Sequence, residues 1–137
     1  MTAEARGEVS IQVESDIILV RTTVREITKG LGFGITDVTR IVTAASELAR
    51  NIVVYAGSGL MRWRVLTAPN QQVGIELSFV DFGPGIADIA VVMQEGYTTS
   101  GGLGMGLPGS KRLMDELEIQ SEVGKGTAVT IRKWQKA

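Results

Sequence analysis

Cysteine and histidine are both absent from the 137-residue sequence. Without cysteine, the chain can form no disulfide and can offer no thiolate ligand to zinc. Without histidine, it cannot contain a Ser-His-Asp triad, a histidine-based zinc site or a phosphorylated histidine of its own. Any chemistry must therefore come from carboxylates, amides, hydroxyls, basic side chains and the backbone.

An excess of either charge is also missing, because 14 basic and 15 acidic residues give a net charge of −1. General nucleic-acid binders and anionic-membrane binders carry a basic excess, so we expect neither partner. No apolar run approaches the roughly 20 residues that a membrane-spanning helix needs. The first residues do not resemble a secretory signal. We therefore expect a cytoplasmic protein in which residues 1–137 form a single domain.

The spacing of apolar residues predicts the secondary structure. It indicates a strand at 9–14, helices at 15–29 and 36–55, strands at 60–67 and 72–81, a helix at 107–117, and strands at 118–122 and 127–133. Thr36 is predicted to cap the second helix, whose buried stripe comprises Ile41, Ala45, Leu48 and Ile52. This order predicts an α+β fold, a two-layer sandwich of a mixed, mainly antiparallel sheet with helices on one face.

Five glycines stand among the nine residues 101–109, directly before the third predicted helix. Backbone without side chains can turn its N–H groups toward phosphate oxygens, and a helix N-terminus favours the same anions. Residues 104–109 also fit the dinucleotide spacing G-x-G-x-x-G, but no strand leads into them as that motif requires. The preceding stretch, 86–100, is compatible with either a closing lid or a plain surface loop.

Two acidic residues and one amide stand at positions that suggest a site. Glu47 and Asn51 are four residues apart, on one face of the second predicted helix and beside its buried stripe. Such a pair can supply a general base and a magnesium ligand, but by itself it is more typical of an ordinary exposed pair on an amphipathic helix. Asp81 continues the apolar, odd-numbered face of its strand and can accept a hydrogen bond from an adenine amine. An Asx turn that ends the strand is the alternative.

Three segments together resemble the GHKL superfamily of ATPases and kinases. Glu47-Leu-Ala-Arg-Asn51, Asp81-Phe-Gly-Pro-Gly85 and Gly101-Gly-Leu-Gly-Met-Gly106 occur in the order and spacing of its N, G1 and G2 boxes. Over nearly the full length, the chain is similar to the small bacterial serine kinases and anti-sigma factors, above all the stressosome switch kinases. Leu31-Gly-Phe-Gly34 and Lys111-Arg-Leu-Met-Asp-Glu116 carry this closer likeness.

The resemblance implies an ATP site between the helices and the sheet, with Mg²⁺ as the metal. It makes Glu47 the general base, Asn51 the Mg²⁺ ligand and Asp81 the adenine acceptor. The remaining implied contacts are Gly83 and Gly85 around the adenine, Gly102, Gly104 and Gly106 on the phosphates, and Thr127 as a second adenine contact.

The family further implies a serine/threonine kinase that phosphorylates STAS-domain proteins and, when released, activates a PP2C-type phosphatase. Sigma-binding relatives carry Ala and then His or Asp after the N-box Asn, whereas here Asn51 is followed by Ile52, Val53 and Val54. This departure favours a switch kinase. An ATP-gated anti-sigma factor is the alternative. An ATP hydrolase of the Hsp90 type is not expected, because this sequence shows none of the additional domains that couple hydrolysis to motion.

Overall fold

The computed structural model describes residues 5–85 and 107–136, which form five strands, three α-helices and one π-helical turn. The elements are β1 (Arg6–Ile11), α1 (Ser15–Gly30), α2 (Ile35–Asn51), the π turn (Ile52–Ala56), β2 (Gly59–Thr67), β3 (Val73–Asp81), α3 (Leu107–Leu113), β4 (Glu116–Glu122) and β5 (Gly126–Trp134). The suspected lid at 86–100 and the glycines Gly102, Gly104 and Gly106 lie outside the described residues.

The strands form one sheet in the order β1-β2-β3-β5-β4. Each pairing between these described strands is antiparallel. Because β5 returns beside β3, the last residue of β3, Asp81, stands directly opposite Thr127 near the start of β5. The topology thus brings together two residues that are far apart in the sequence.

The helices pack on one face of the sheet and enclose the core. Odd-numbered residues of β3 point toward them, and Ile75, Leu77 and Phe79 are buried there. The predicted stripe of α2 is buried as well, from Ile41 to Ile52. The α+β sandwich is therefore confirmed. Among the described residues, no helix is both long and apolar enough to cross a membrane.

The other face of the sheet carries charged side chains in register across neighbouring strands. Glu76 on β3 accepts hydrogen bonds from Arg64 at 2.6 Å and from Arg132 at 2.7 Å. Burial by itself raises the pKa of Glu76, but the hydrogen bonds and charges of the two arginines outweigh it and lower the pKa. The Glu76 carboxylate is thus stabilised as an anion.

Two glycines on the sheet make room for the chain's two tryptophans. A Cβ on Gly7 would lie 2.6 Å from Trp63 Nε1, and a Cβ on Gly74 would lie 2.6 Å from Trp134 Cε3. Each indole therefore lies across a glycine of the neighbouring strand, because any larger residue there would overlap the ring.

Several predicted element boundaries are wrong. The first strand ends at Ile11, because Asp16 Oδ2 accepts the N–H groups of Gln12 and Val13 and turns the chain into α1. Thr36 does not cap α2; Gly34 occupies the N-cap position and makes no side-chain hydrogen bond. The helix at 107–117 is shorter than predicted, and it ends at Leu113.

Candidate active site

A cavity lies between α2 and the sheet, on the helix-covered face. Its lining is mostly apolar and comprises Leu48, Ile52, Phe79, Leu107 and Val129, together with the polar residues Asn51, Asp81 and Thr127. All three polar residues were predicted from the sequence. The chemistry of this lining is complementary to a flat, apolar ligand with a hydrogen-bonding edge.

Asp81 reaches this cavity because it ends β3 on the buried, odd-numbered face. Its Oδ1 atom accepts the N–H of Gly83 at 2.9 Å and the N–H of Thr127 at 3.3 Å. Among the described residues, Oδ2 accepts no hydrogen bond, so this oxygen is the one that can accept from a ligand. The two interpretations of Asp81 are therefore compatible, because Oδ1 makes the Asx turn while Oδ2 stays available.

Thr127 belongs to the same hydrogen-bonded group as Asp81. Its side chain is buried, and its Oγ1 lies 2.9 Å from Oγ of Ser121 on β4. Ser121 Oγ in turn donates to the carbonyl of Gly126 at 3.0 Å. The hydroxyl of Thr127 is thus held at the cavity wall by a neighbouring strand.

The glycines after Asp81 approach protein atoms closely. A Cβ on Gly83 would lie 2.7 Å from the Cβ of Ala56, and a Cβ on Gly85 would lie 2.4 Å from the carbonyl oxygen of Glu122. Gly85 also has φ +79°, which favours glycine. Among the described residues, neither glycine lines the cavity. They allow the loop that fixes Asp81 to pack against the π turn and the β4–β5 hairpin.

The second helix supplies Glu47 and Asn51, one turn apart and both half-buried. Asn51 lines the cavity, whereas Glu47 lies outside its described lining. Directly after Asn51 the helix widens into the π turn, which Gly57 closes by donating its N–H to Ile52 O at 2.8 Å. Short π segments are frequent at functional sites. Here the π turn carries Ala56 to its contact with Gly83.

The sequence interpretation missed the apolar part of the lining. Leu48 and Ile52 had been assigned to the core stripe, and Phe79 to the buried face of its strand. Leu107, at the start of α3, carried no such signal, because its place in the cavity depends on how α3 packs against α2. In the described ranges, no group of three or more acidic residues could hold a metal ion by itself.

Comparison with known proteins places these features in a family. The family profile described as the histidine kinase-like ATPase domain matches residues 11–133. The chain belongs to this family. The chain is also 49% identical over 126 residues to the serine/threonine-protein kinase RsbT of Bacillus subtilis, a match that covers 92% of this chain and 94% of RsbT.

More distant relatives share the same domain. An anti-sigma F factor of Caldanaerobacter subterraneus is 33% identical over 120 residues, covering 83% of this chain and 82% of that protein. The solved RsbU and RsbW domains of a Mycobacterium tuberculosis protein share the fold, with a TM-score of 0.61 at 18% identity. That match covers 99% of this chain but only 34% of the longer one. The family profile and the similarity to RsbT confirm the predicted GHKL-type serine/threonine-protein kinase.

Proposed function

We propose that this protein is a cytoplasmic, Mg²⁺-dependent kinase that transfers the γ-phosphoryl group of ATP to a serine or threonine of a STAS-domain partner. One observation carries the proposal: Asn51, Asp81 and Thr127 converge on a single apolar cavity. This convergence occurs in a chain that is 49% identical to RsbT over nearly its whole length.

The adenine end of the site is built around Asp81. Two backbone N–H groups hold Oδ1, so that Oδ2 can accept from the exocyclic amine of adenine. Thr127 supplies a second polar contact, while Leu48, Ile52 and Phe79 offer apolar surface to the ring. Adenine is favoured over guanine because guanine presents a carbonyl, another acceptor, at the position of that amine.

The phosphate end of the site lies toward Asn51 and the start of α3. Asn51 offers a hard amide oxygen, and Mg²⁺ is commonly held by one or two protein ligands together with nucleotide phosphates. A dedicated carboxylate cage is therefore unnecessary. When bound, Mg²⁺ neutralises charge on the phosphates. Gly102, Gly104 and Gly106 are proposed to place backbone N–H groups along the phosphate chain.

Glu47 is the proposed general base. It accepts the proton from the partner's hydroxyl as that oxygen forms a bond to the γ-phosphorus, while the bond from phosphorus to the bridging oxygen breaks and ADP leaves. Glu47 lies one turn before Asn51, the proposed metal ligand, on the same face of α2, which supports this role. Gly83 and Gly85 support this site indirectly, by holding the loop that fixes Asp81.

The partners follow from the family. We propose that phosphorylation of a STAS-domain protein releases this kinase, which then binds and activates a PP2C-type phosphatase. The similarity to anti-sigma F factors supports a second candidate, an ATP-gated protein that sequesters a sigma factor. The residues after Asn51 favour the first candidate, because they lack the Ala and His or Asp of sigma-binding relatives.

The decisive experiment uses the purified protein with labelled ATP, Mg²⁺ and STAS-domain proteins from the same genome. Label is expected on a serine or threonine of one such protein, and its transfer is expected to stop when Mg²⁺ is chelated. Stable capture of a sigma factor, with no label on any STAS protein, would replace the kinase proposal by the anti-sigma alternative.

A further inference from the structure

A buried cation lies where the end of β5 meets two helices. Lys133 is the last helix-facing residue of β5 and is 7% exposed. Its Nζ donates to the carbonyl oxygen of Leu113 at 2.9 Å, and it lies 3.4 Å from Asp115 Oδ1 and 3.9 Å from Asp37 Oδ1. A buried ammonium is costly unless it is paired and hydrogen-bonded, and this one has three acceptors nearby.

Two of these three acceptors belong to helices that line the candidate active site. Leu113 is the last residue of α3, and Asp37 lies in the first turn of α2. Asp115 connects α3 to β4, and its Oδ2 accepts the Trp134 N–H at 2.8 Å. The ammonium thus joins the end of β5 to both helices that line the cavity, at the ends of those helices that lie away from Asn51 and Leu107.

The third helix depends on such external contacts. It has only seven residues, far fewer than an isolated helix needs for stability in water. Its first residue, Leu107, lines the cavity, and its last carbonyl group is bound by Lys133. Because α3 is only about two turns long, a shift of its last turn also shifts its first residue, Leu107.

We propose that Lys133 is a positioning residue for nucleotide binding: it anchors α3 so that Leu107 stays in the cavity wall. This inference rests on the proposed ATP site. Without the ammonium, α3 populates positions that cannot bind nucleotide, and the apparent affinity falls with the fraction of competent molecules. The side chain itself contacts no nucleotide.

The test compares substitutions at two neighbouring residues of β5, Lys133 and Arg132. Lys133→Met removes the cation on the helix face, and Arg132→Met removes a cation that is paired with Glu76 on the opposite face of the sheet. Calorimetric titration with ATP and Mg²⁺ is expected to show an affinity about tenfold weaker for Lys133→Met and within twofold of wild type for Arg132→Met. Backbone amides of α3 are expected to exchange faster only in Lys133→Met.

Each outcome has a distinct meaning. Equal ATP affinities for wild type and folded Lys133→Met would overturn the inference, whereas absent binding by the wild type would overturn the proposed function. Lys133→Arg, which keeps the charge, is expected to recover most of the lost affinity. If Lys133→Met does not fold, Lys133→Gln serves instead, since it removes the positive charge and shortens the side chain that reaches the Leu113 carbonyl oxygen. An unchanged affinity in that variant would also contradict the inference.

Discussion

Replacement of Asp81 by asparagine tests the orientation of its carboxylate directly. The side-chain oxygen of asparagine must stay where Oδ1 is now, because the N–H groups of Gly83 and Thr127 both donate to that position. The amide nitrogen then takes the place of Oδ2 and presents a donor to the adenine amine, which is also a donor. The substitution therefore keeps the loop in place and inverts the polarity of the ligand contact.

The expected magnitude follows from that contact. A hydrogen bond to a charged group contributes about 1.5–3 kcal/mol. Its loss corresponds to ATP binding that is roughly 10- to 150-fold weaker, since about 1.4 kcal/mol is a factor of ten. The ratio of GTP affinity to ATP affinity is expected to rise, because the guanine carbonyl can accept from the new amide. Titration calorimetry with each nucleotide measures both effects.

Asp16 provides a matched control for this experiment. One of its carboxylate oxygens, Oδ2, also accepts two backbone N–H groups, from Gln12 at 2.8 Å and Val13 at 3.0 Å. It lies at the start of α1 and does not line the cavity. Asp16→Asn should therefore leave the nucleotide affinity unchanged. An ATP affinity of Asp81→Asn within threefold of wild type would refute the assigned orientation.

Three further predictions concern the mechanism and the stability. Glu47→Gln is expected to lower the phosphotransfer rate about 10²- to 10⁴-fold, the range for a lost general base, while ATP still binds. Glu26→Gln on α1 is the control, and equal steady-state rates for Glu47→Gln and wild type would exclude Glu47 as the base. Ser110→Ala is expected to stabilise the fold by about 1 kcal/mol, because the buried Ser110 hydroxyl has no hydrogen-bond partner among the described residues; an unchanged or lower free energy of unfolding in urea contradicts this. The fold lowers the pKa of Glu76, so its carboxylate stabilises the folded state. This stabilisation is complete above the pKa of the same carboxyl group in the unfolded chain. It is lost as the pH falls through the lower pKa of the folded state. Glu76→Gln should therefore lose less stability than wild type between pH 5 and pH 2 in urea titrations, and equal losses would count against this role.

The sequence was informative wherever short-range periodicity decides the structure. The stripe of α2 from Ile41 to Ile52 and the odd-numbered face of β3 both came from spacing alone, and both are confirmed. The position of Asp81 at the end of that face followed directly. The roles assigned to Glu47, Asn51, Asp81 and Thr127 depend on the family resemblance and stay predictions.

Tertiary contacts decide the features that the sequence could not predict. The Asp81 oxygen that accepts no backbone hydrogen bond, Oδ2, is determined partly by the N–H of Thr127, which donates to Oδ1 from 46 positions along the chain. The helix after Asn51 widens into a π turn where Ala56 packs against Gly83, and no periodicity indicates that contact. The helix α3 likewise ends at Leu113, whose carbonyl group accepts a hydrogen bond from the side chain of Lys133 on β5.

The placement of the two tryptophans has a practical consequence for spectroscopy. Trp63 and Trp134 both lie across glycines of the sheet, and neither lines the cavity. Trp134 Nε1 also donates to Glu116 Oε2 at 2.8 Å, at the β4 side of the sheet. Intrinsic tryptophan fluorescence therefore reports the loss of the sheet during denaturation. Detection of a nucleotide in the cavity instead needs a fluorescent group attached to the nucleotide itself.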